Sequence, residues 1–81
     1  MNQQEIIFSH VQKIIRDILK NDRIILSLDT TSKDVDGWDS LTHMLIIAEI
    51  EKKFNVRINF RELMKIGNVG ELVQTIEKKM K

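Results

Sequence analysis

The sequence predicts an all-α fold: a four-helix bundle of three longer helices and one short helix, with a long loop between the first and second. Three observations carry this. The 81-residue chain has no proline and three glycines, so little in its composition interrupts a helix. Apolar residues recur at i, i+3, i+4 and i+7 in separate stretches. The breaks between those stretches hold Asn, Asp, Ser and Gly, the residues that cap helices and make turns.

The first helix is expected from Glu5 to Lys20, with Ile7, Val11, Ile14, Ile15, Ile18 and Leu19 at helical spacing and Asn21-Asp22 ending it. Residues 22 to 39 keep no period and read as a loop anchored by Ile24, Ile25, Leu26 and Leu28. A loop this long is functional or hides a short helical turn. The second helix runs from Ser40 to Phe54, and either Asp39 or Ser40 can cap it. Asn55-Val56-Arg57-Ile58 then breaks the helix in extended form. Asn59 caps a short third helix from Phe60 to about Lys65, and Gly67-Asn68 precedes a last helix from Val69 to about Lys79. Val69, Leu72, Val73, Ile76 and Met80 fall on one side of it.

Length limits the chain to one domain, residues 1–81, and a chain this small buries only about 60–65% of its unfolded surface. Without cysteine there are no disulfides, thiolate metal sites or cysteine nucleophiles. No apolar run approaches the roughly 20 residues of a membrane span. Met1-Asn2-Gln3-Gln4-Glu5 does not begin a signal peptide. The expectation is a cytoplasmic, soluble monomer with no membrane insertion. Thirteen basic against twelve acidic residues, a net charge of +1, argue against nucleic acid as the main partner. Lys78, Lys79 and Lys81 read as a solvated helix C-terminus, where cations complement the helix dipole.

At about 100° per residue, the second helix separates into two apolar faces. Ile46, Ile47, Ile50 and Phe54 form one, with His43 beside it; Leu41, Met44, Leu45 and Ala48 form the other. The short third helix can cover the second face, or that face is a docking surface for partners, rimmed by Asp39, Glu49, Glu51, Lys52 and Lys53.

Few residues invite chemistry. Asp39, Ser40 and His43 are types found in hydrolases, but within one helical turn His43 cannot be oriented by Asp39 and also aimed at Ser40, and no Gly-x-Ser-x-Gly elbow is present. Ser32 to Gly37 imperfectly matches a calcium loop, with Ser32 and His43 where Asp and Glu belong. His10 and His43 lie on different helices without a second ligand pair, and Trp38 reads as a core-edge residue. Ser40 stands at a helix start, where free N–H groups and the positive dipole end favour a phosphate.

Gly37-Trp38-Asp39-Ser40-Leu41, followed by Ile46, Ile50, Glu51, Phe54, Val56 and Ile58, resembles the signature of acyl carrier proteins. Ile66, Val69 and Ile76 are similar to that family's apolar spacing further on, and the resemblance spans nearly the whole chain. It implies a carrier that is not an enzyme. A phosphopantetheinyl transferase would move 4′-phosphopantetheine from coenzyme A onto Ser40, and the arm's thiol would hold an acyl or aminoacyl group as a thioester. Asp39 would help engage the transferase. Leu41, Met44, Leu45, Ala48 and Glu51 would meet acyl-transferring or condensing enzymes.

The chain departs from carriers of primary fatty acid synthesis, which resemblance leads one to expect strongly acidic along the second helix. Leu45 stands where glutamate is common, Lys52 and Lys53 replace part of the acidic run, and Trp38 replaces a small residue. These departures predict a dedicated carrier for a specialised pathway. A carrier of primary fatty acid synthesis and an unmodified helical interaction module are the alternatives.

Overall fold

The computed structural model describes residues 2–80 and contains the four expected helices: α1 (Gln3–Leu19), α2 (Ser40–Phe54), α3 (Phe60–Lys65) and α4 (Val69–Lys79). A 3-10 turn over Ser32–Asp34 is the short helical element within the long loop. α1 begins two residues earlier than expected because the Asn2 side chain accepts the Glu5 N–H at 2.8 Å. It ends at Lys20, which takes a left-handed conformation and points its N–H back at Arg16 and Asp17, before Asn21-Asp22 is reached.

Each later helix opens on a short polar side chain. Asp39 accepts from Thr42, Asn59 from Glu62, and Asn68 from Glu71. These bonds satisfy N–H groups that a helix start leaves unpaired. α2 closes on Asn55 in the left-handed region, and Val56 and Ile58 then turn inward while Arg57 stays outside.

α1 packs against both α2 and α4. Ile7, Val11 and Ile15 of α1 meet Ile46 and Ile50 of α2 and Val69, Leu72, Val73 and Ile76 of α4 in one fully buried core. Met80 was expected on that apolar side, but it is the C-cap just beyond α4 and is exposed. Lys79 is not simply a solvated end charge: its Nζ lies 2.6 Å from Glu62 Oε1 on α3. Lys81 falls outside the described residues.

The loop from Asn21 to Asp39 is tied down along its length. Arg16 Nε donates to the Ile24 carbonyl at 2.6 Å, and the Leu26 N–H donates to Gln12 Oε1 at 2.9 Å. Ile24 and Leu26 enter the core, whereas Ile25 and Leu28 are exposed. Of the four expected anchors only Ile24 and Leu26 serve: extended backbone points Ile25 to the opposite side, and Leu28 stands in the turn that follows, where the alternation has ended. Further on, the Leu28 and Thr30 carbonyls accept the Gly70 and Val69 N–H groups at 2.8 and 2.9 Å. The loop thereby completes the first turn of α4. Among the described residues no helix is long and apolar enough to cross a membrane.

Candidate functional site

The site is built where the loop enters α2. Gly37 has φ +87°, a left-handed backbone that side-chain-bearing residues disfavour, and it turns the chain so that Trp38 points inward and Asp39 meets the helix start. Asp39 and Thr42 then bond reciprocally. The Thr42 N–H donates to Asp39 Oδ1 at 2.9 Å, and the Asp39 N–H donates to Thr42 Oγ1 at 2.8 Å. The Thr42 hydroxyl donates in turn to the Gly37 carbonyl at 2.7 Å, locking the turn to the helix. Thr42 was not among the expected site residues, although the Asp39-x-x-Thr42 spacing is that of a reciprocal cap.

Of the two possible caps, Asp39 takes the role, which leaves Ser40 at the first helical position. Ser40 is exposed, and among the described residues its hydroxyl has no hydrogen-bond partner. The bland reading of this serine, a cap and nothing else, therefore does not hold. The Asp39 carboxyl is held below the usual carboxylate range, chiefly by the Thr42 backbone N–H, so it is ionised at neutral pH. A phosphate on Ser40 would share the α2 terminus with a carboxylate that has already claimed the Thr42 N–H.

Trp38 and His43 close the space beneath. Trp38 is buried at the core edge, as expected, and its Nε1–H donates to His43 Nδ1 at 3.0 Å with the two rings stacked. Burial pushes the His43 imidazole below its ordinary range. Thr30, Ser32, Trp38, His43, Ile66 and Leu72 are among the residues lining a small cavity of about 40 Å³ there. His43 thus serves Trp38, Asp39 serves Thr42, and Ser40 is bonded to neither, so no nucleophile–base relay exists. His10 packs edge-on against Phe54, at the opposite end of α2.

The two faces of α2 separate as the spacing predicts. Ile46, Ile47 and Ile50 are buried, Phe54 is half-buried, and Leu41, Met44 and Leu45 remain 71%, 58% and 50% exposed, with Ala48 exposed between them. α3 does not cover the second face. Glu51 differs from the other expected docking residues: it is half-buried, and its Oε2 accepts the Ile58 N–H at 2.9 Å, which holds the corner between α2 and α3.

Residues 9–76, which include this whole arrangement, match the family model described as a phosphopantetheine attachment site. The chain belongs to the acyl carrier protein family. It is 35% identical to the acyl carrier protein of Thermotoga maritima, covering 99% of both chains, and 37% identical to that of Streptococcus pyogenes, covering 93% of this chain and 97% of the other. Its fold is similar to the solution structure of the holo acyl carrier protein of Geobacter metallireducens, with a TM-score of 0.85 and 34% identity over 90% of this chain and 84% of that one. A putative acyl carrier protein from Mycobacterium tuberculosis gives a TM-score of 0.80 at 28% identity, covering 89% and 96% of the two chains. As an acyl carrier protein the chain is a carrier and not an enzyme. Its cofactor is a covalently attached 4′-phosphopantetheine, and its partners are phosphopantetheinyl transferases and acyl-handling enzymes.

Proposed function

We propose that Ser40 is the attachment residue and that the chain serves as the acyl or aminoacyl carrier of a specialised biosynthetic pathway. The observation that carries the first part is the free, exposed Ser40 hydroxyl at the start of α2, spared from capping by Asp39. In the transfer, Ser40 Oγ loses its proton and forms the new bond to phosphorus, while the pyrophosphate linkage of coenzyme A breaks and the adenosine bisphosphate leaves. The arm supplies a flexible thiol on which cargo is held as a thioester. The chain's own residues present that arm: Gly37 and Thr42 fix the turn, Asp39 fixes the helix start, and Leu41, Met44, Leu45 and Ala48 form an apolar surface beside it on which partner enzymes dock. Glu51 contributes by holding the α2–α3 corner.

Leu45, Lys52 and Lys53 support the specialised pathway, because they remove negative charge from the docking helix and weaken steering towards a basic enzyme face. Intact-mass spectrometry after incubation with coenzyme A and a broad-specificity phosphopantetheinyl transferase tests the attachment. One added phosphopantetheine is expected, and none on Ser40→Ala. A folded wild-type chain that gains no mass, or a Ser40→Ala chain that does, would overturn the assignment. Efficient elongation on the loaded carrier by a general fatty acid synthase would overturn the specialised pathway.

A further inference from the structure

We propose that the exposed sides of α2 and α3 together fit a protein partner whose contact surface is an apolar recess edged by carboxylates. This rests on the carrier reading above and goes beyond it by assigning the partner's charge. Leu41, Leu45, Ala48 and Lys52 follow one another at spacings of four, three and four, so they form a single line along the outer side of α2. Lys52 therefore stands at the end of the apolar stripe and not beside it. It lines a shallow surface depression together with Arg57. On α3, Phe60 and Met64 are 75% and 71% exposed, one turn apart, and Arg61 and Lys65 are exposed immediately next to them. The inward side of α3 carries Glu62 and Leu63, both half-buried.

The charge on this face is unevenly spread. Asp39 lies at the Ser40 end, and Glu49 stands one turn before Lys52 and Lys53 as the exposed carboxylate nearest to the cations. From Lys52 to Lys65 the exposed cations are Lys52, Lys53, Arg57, Arg61 and Lys65, and among the described residues none of them has an ion-pair partner. The one carboxylate in that span, Glu62, is already bonded to Lys79 at 2.6 Å. Glu51, just before it, is bonded to the Ile58 N–H. Lys52, Arg57, Arg61 and Lys65, unpaired beside a band of Leu, Met and Phe, call for an acidic rim around an apolar centre, with the centre giving affinity and the charges giving orientation and selectivity. A nucleic acid fits less well, since the apolar stripe would face a polyanion and Asp39 and Glu49 would repel it.

Two synthetic amphipathic helical peptides with the same leucine stripe, one flanked by glutamates and one by lysines, serve as probes. Each is titrated into the isotope-labelled full chain, both untreated and after transferase treatment, and amide shifts are followed by NMR. The glutamate peptide is expected to bind about tenfold more tightly at low salt, since each exposed charge pair contributes a factor of about two. Its shifts should centre on Leu45, Ala48, Lys52, Arg61 and Met64, and the preference should shrink as salt is raised. The double variant Lys52→Glu, Arg61→Glu should abolish the preference, and both positions are exposed, so circular dichroism should show an unchanged fold. Equal binding of the two peptides to the wild-type chain, preference for the lysine peptide, or shifts confined to another face would overturn the proposal. So would tighter binding of a short DNA duplex or of phosphatidylglycerol vesicles through the same residues. Mass spectrometry on the treated sample reports phosphopantetheine separately, so loss of the carrier reading and loss of this one are distinguishable.

Discussion

At the scale of single residues, the contact between Trp38 and His43 sets a pH dependence. An indole N–H only donates, so His43 Nδ1 must accept and the imidazole proton must sit on Nε2. A second proton would go onto Nδ1 and break the bond to Trp38. Burial acts in the same direction, and the folded chain therefore binds this proton less readily than the unfolded chain does. Stability should fall as pH drops below the ordinary imidazole value of about 6.5, and the loss should level off once the folded-state imidazole is itself protonated. His43→Gln keeps an acceptor for Trp38 and cannot titrate. Urea denaturation between about pH 7 and pH 5 should show the wild-type midpoint falling more steeply than that of the variant. Parallel curves would show that His43 has no part in the acid sensitivity. The Asp39 carboxylate acts in a lower window: its folded-state pKa is depressed, so its contribution is present above the ordinary carboxylate range and is lost as pH falls from there through the lowered folded-state value.

At the scale of the element, α2 shows how one amphipathic helix performs two tasks. Ile46, Ile47 and Ile50 hold it in the core, while Leu41, Met44 and Leu45 stay in solvent. Met44→Glu should therefore leave stability within about 0.5 kcal/mol of wild type. Ile50→Ala removes a fully buried side chain and should cost about 2–5 kcal/mol. Urea unfolding followed by circular dichroism measures both, and similar losses in the two variants would mean that Met44 is packed. Met44→Glu should at the same time slow turnover of the loaded carrier by a docking enzyme. The spacing of apolar residues separated these two faces in advance, but it left open whether α3 covers the second one. That depended on how the Val56–Ile58 segment anchors and where Glu51 holds it, which are long-range contacts with no local pattern.

At the scale of the whole molecule, the radius of gyration of 11.6 Å equals the roughly 12 Å of a fully packed chain of this length, so the long loop is part of the packed body. The seam between loop and α4 explains how. The Leu28 carbonyl accepts the Gly70 N–H at 2.8 Å, and a Cβ built on Gly70 would lie 2.9 Å from that oxygen and 3.2 Å from Leu28 Cβ. Gly70→Ala gains up to about 1 kcal/mol of helix propensity. It also forces backbone apart, at about 1–3 kcal/mol, so net destabilisation of about 1 kcal/mol is expected in urea titrations. Gly67→Ala is the comparison. Its Cβ would meet only Glu71 Oε1, at 2.9 Å, the movable end of a flexible side chain. That variant should stay within about 0.5 kcal/mol of wild type. Equal losses at the two glycines would remove the loop seam as the cause.

Helix order, most helix ends and most of the inward stripes were present in the linear order of residues, the start of α1 at Asn2 and the exposed Met80 being the exceptions, because period and caps are local properties: Ile7, Val11 and Ile15, or Asn59 before Phe60, can be read without knowing what they touch. The signature around Ser40 was legible in the same way. Tertiary structure decided which of two adjacent oxygens caps α2, which two of four loop residues enter the core, and that Trp38 and His43 are bonded partners. It also decided that the second face of α2 stays uncovered. Each of these is a competition between groups for one partner or one space, and its outcome depends on neighbours far away in sequence.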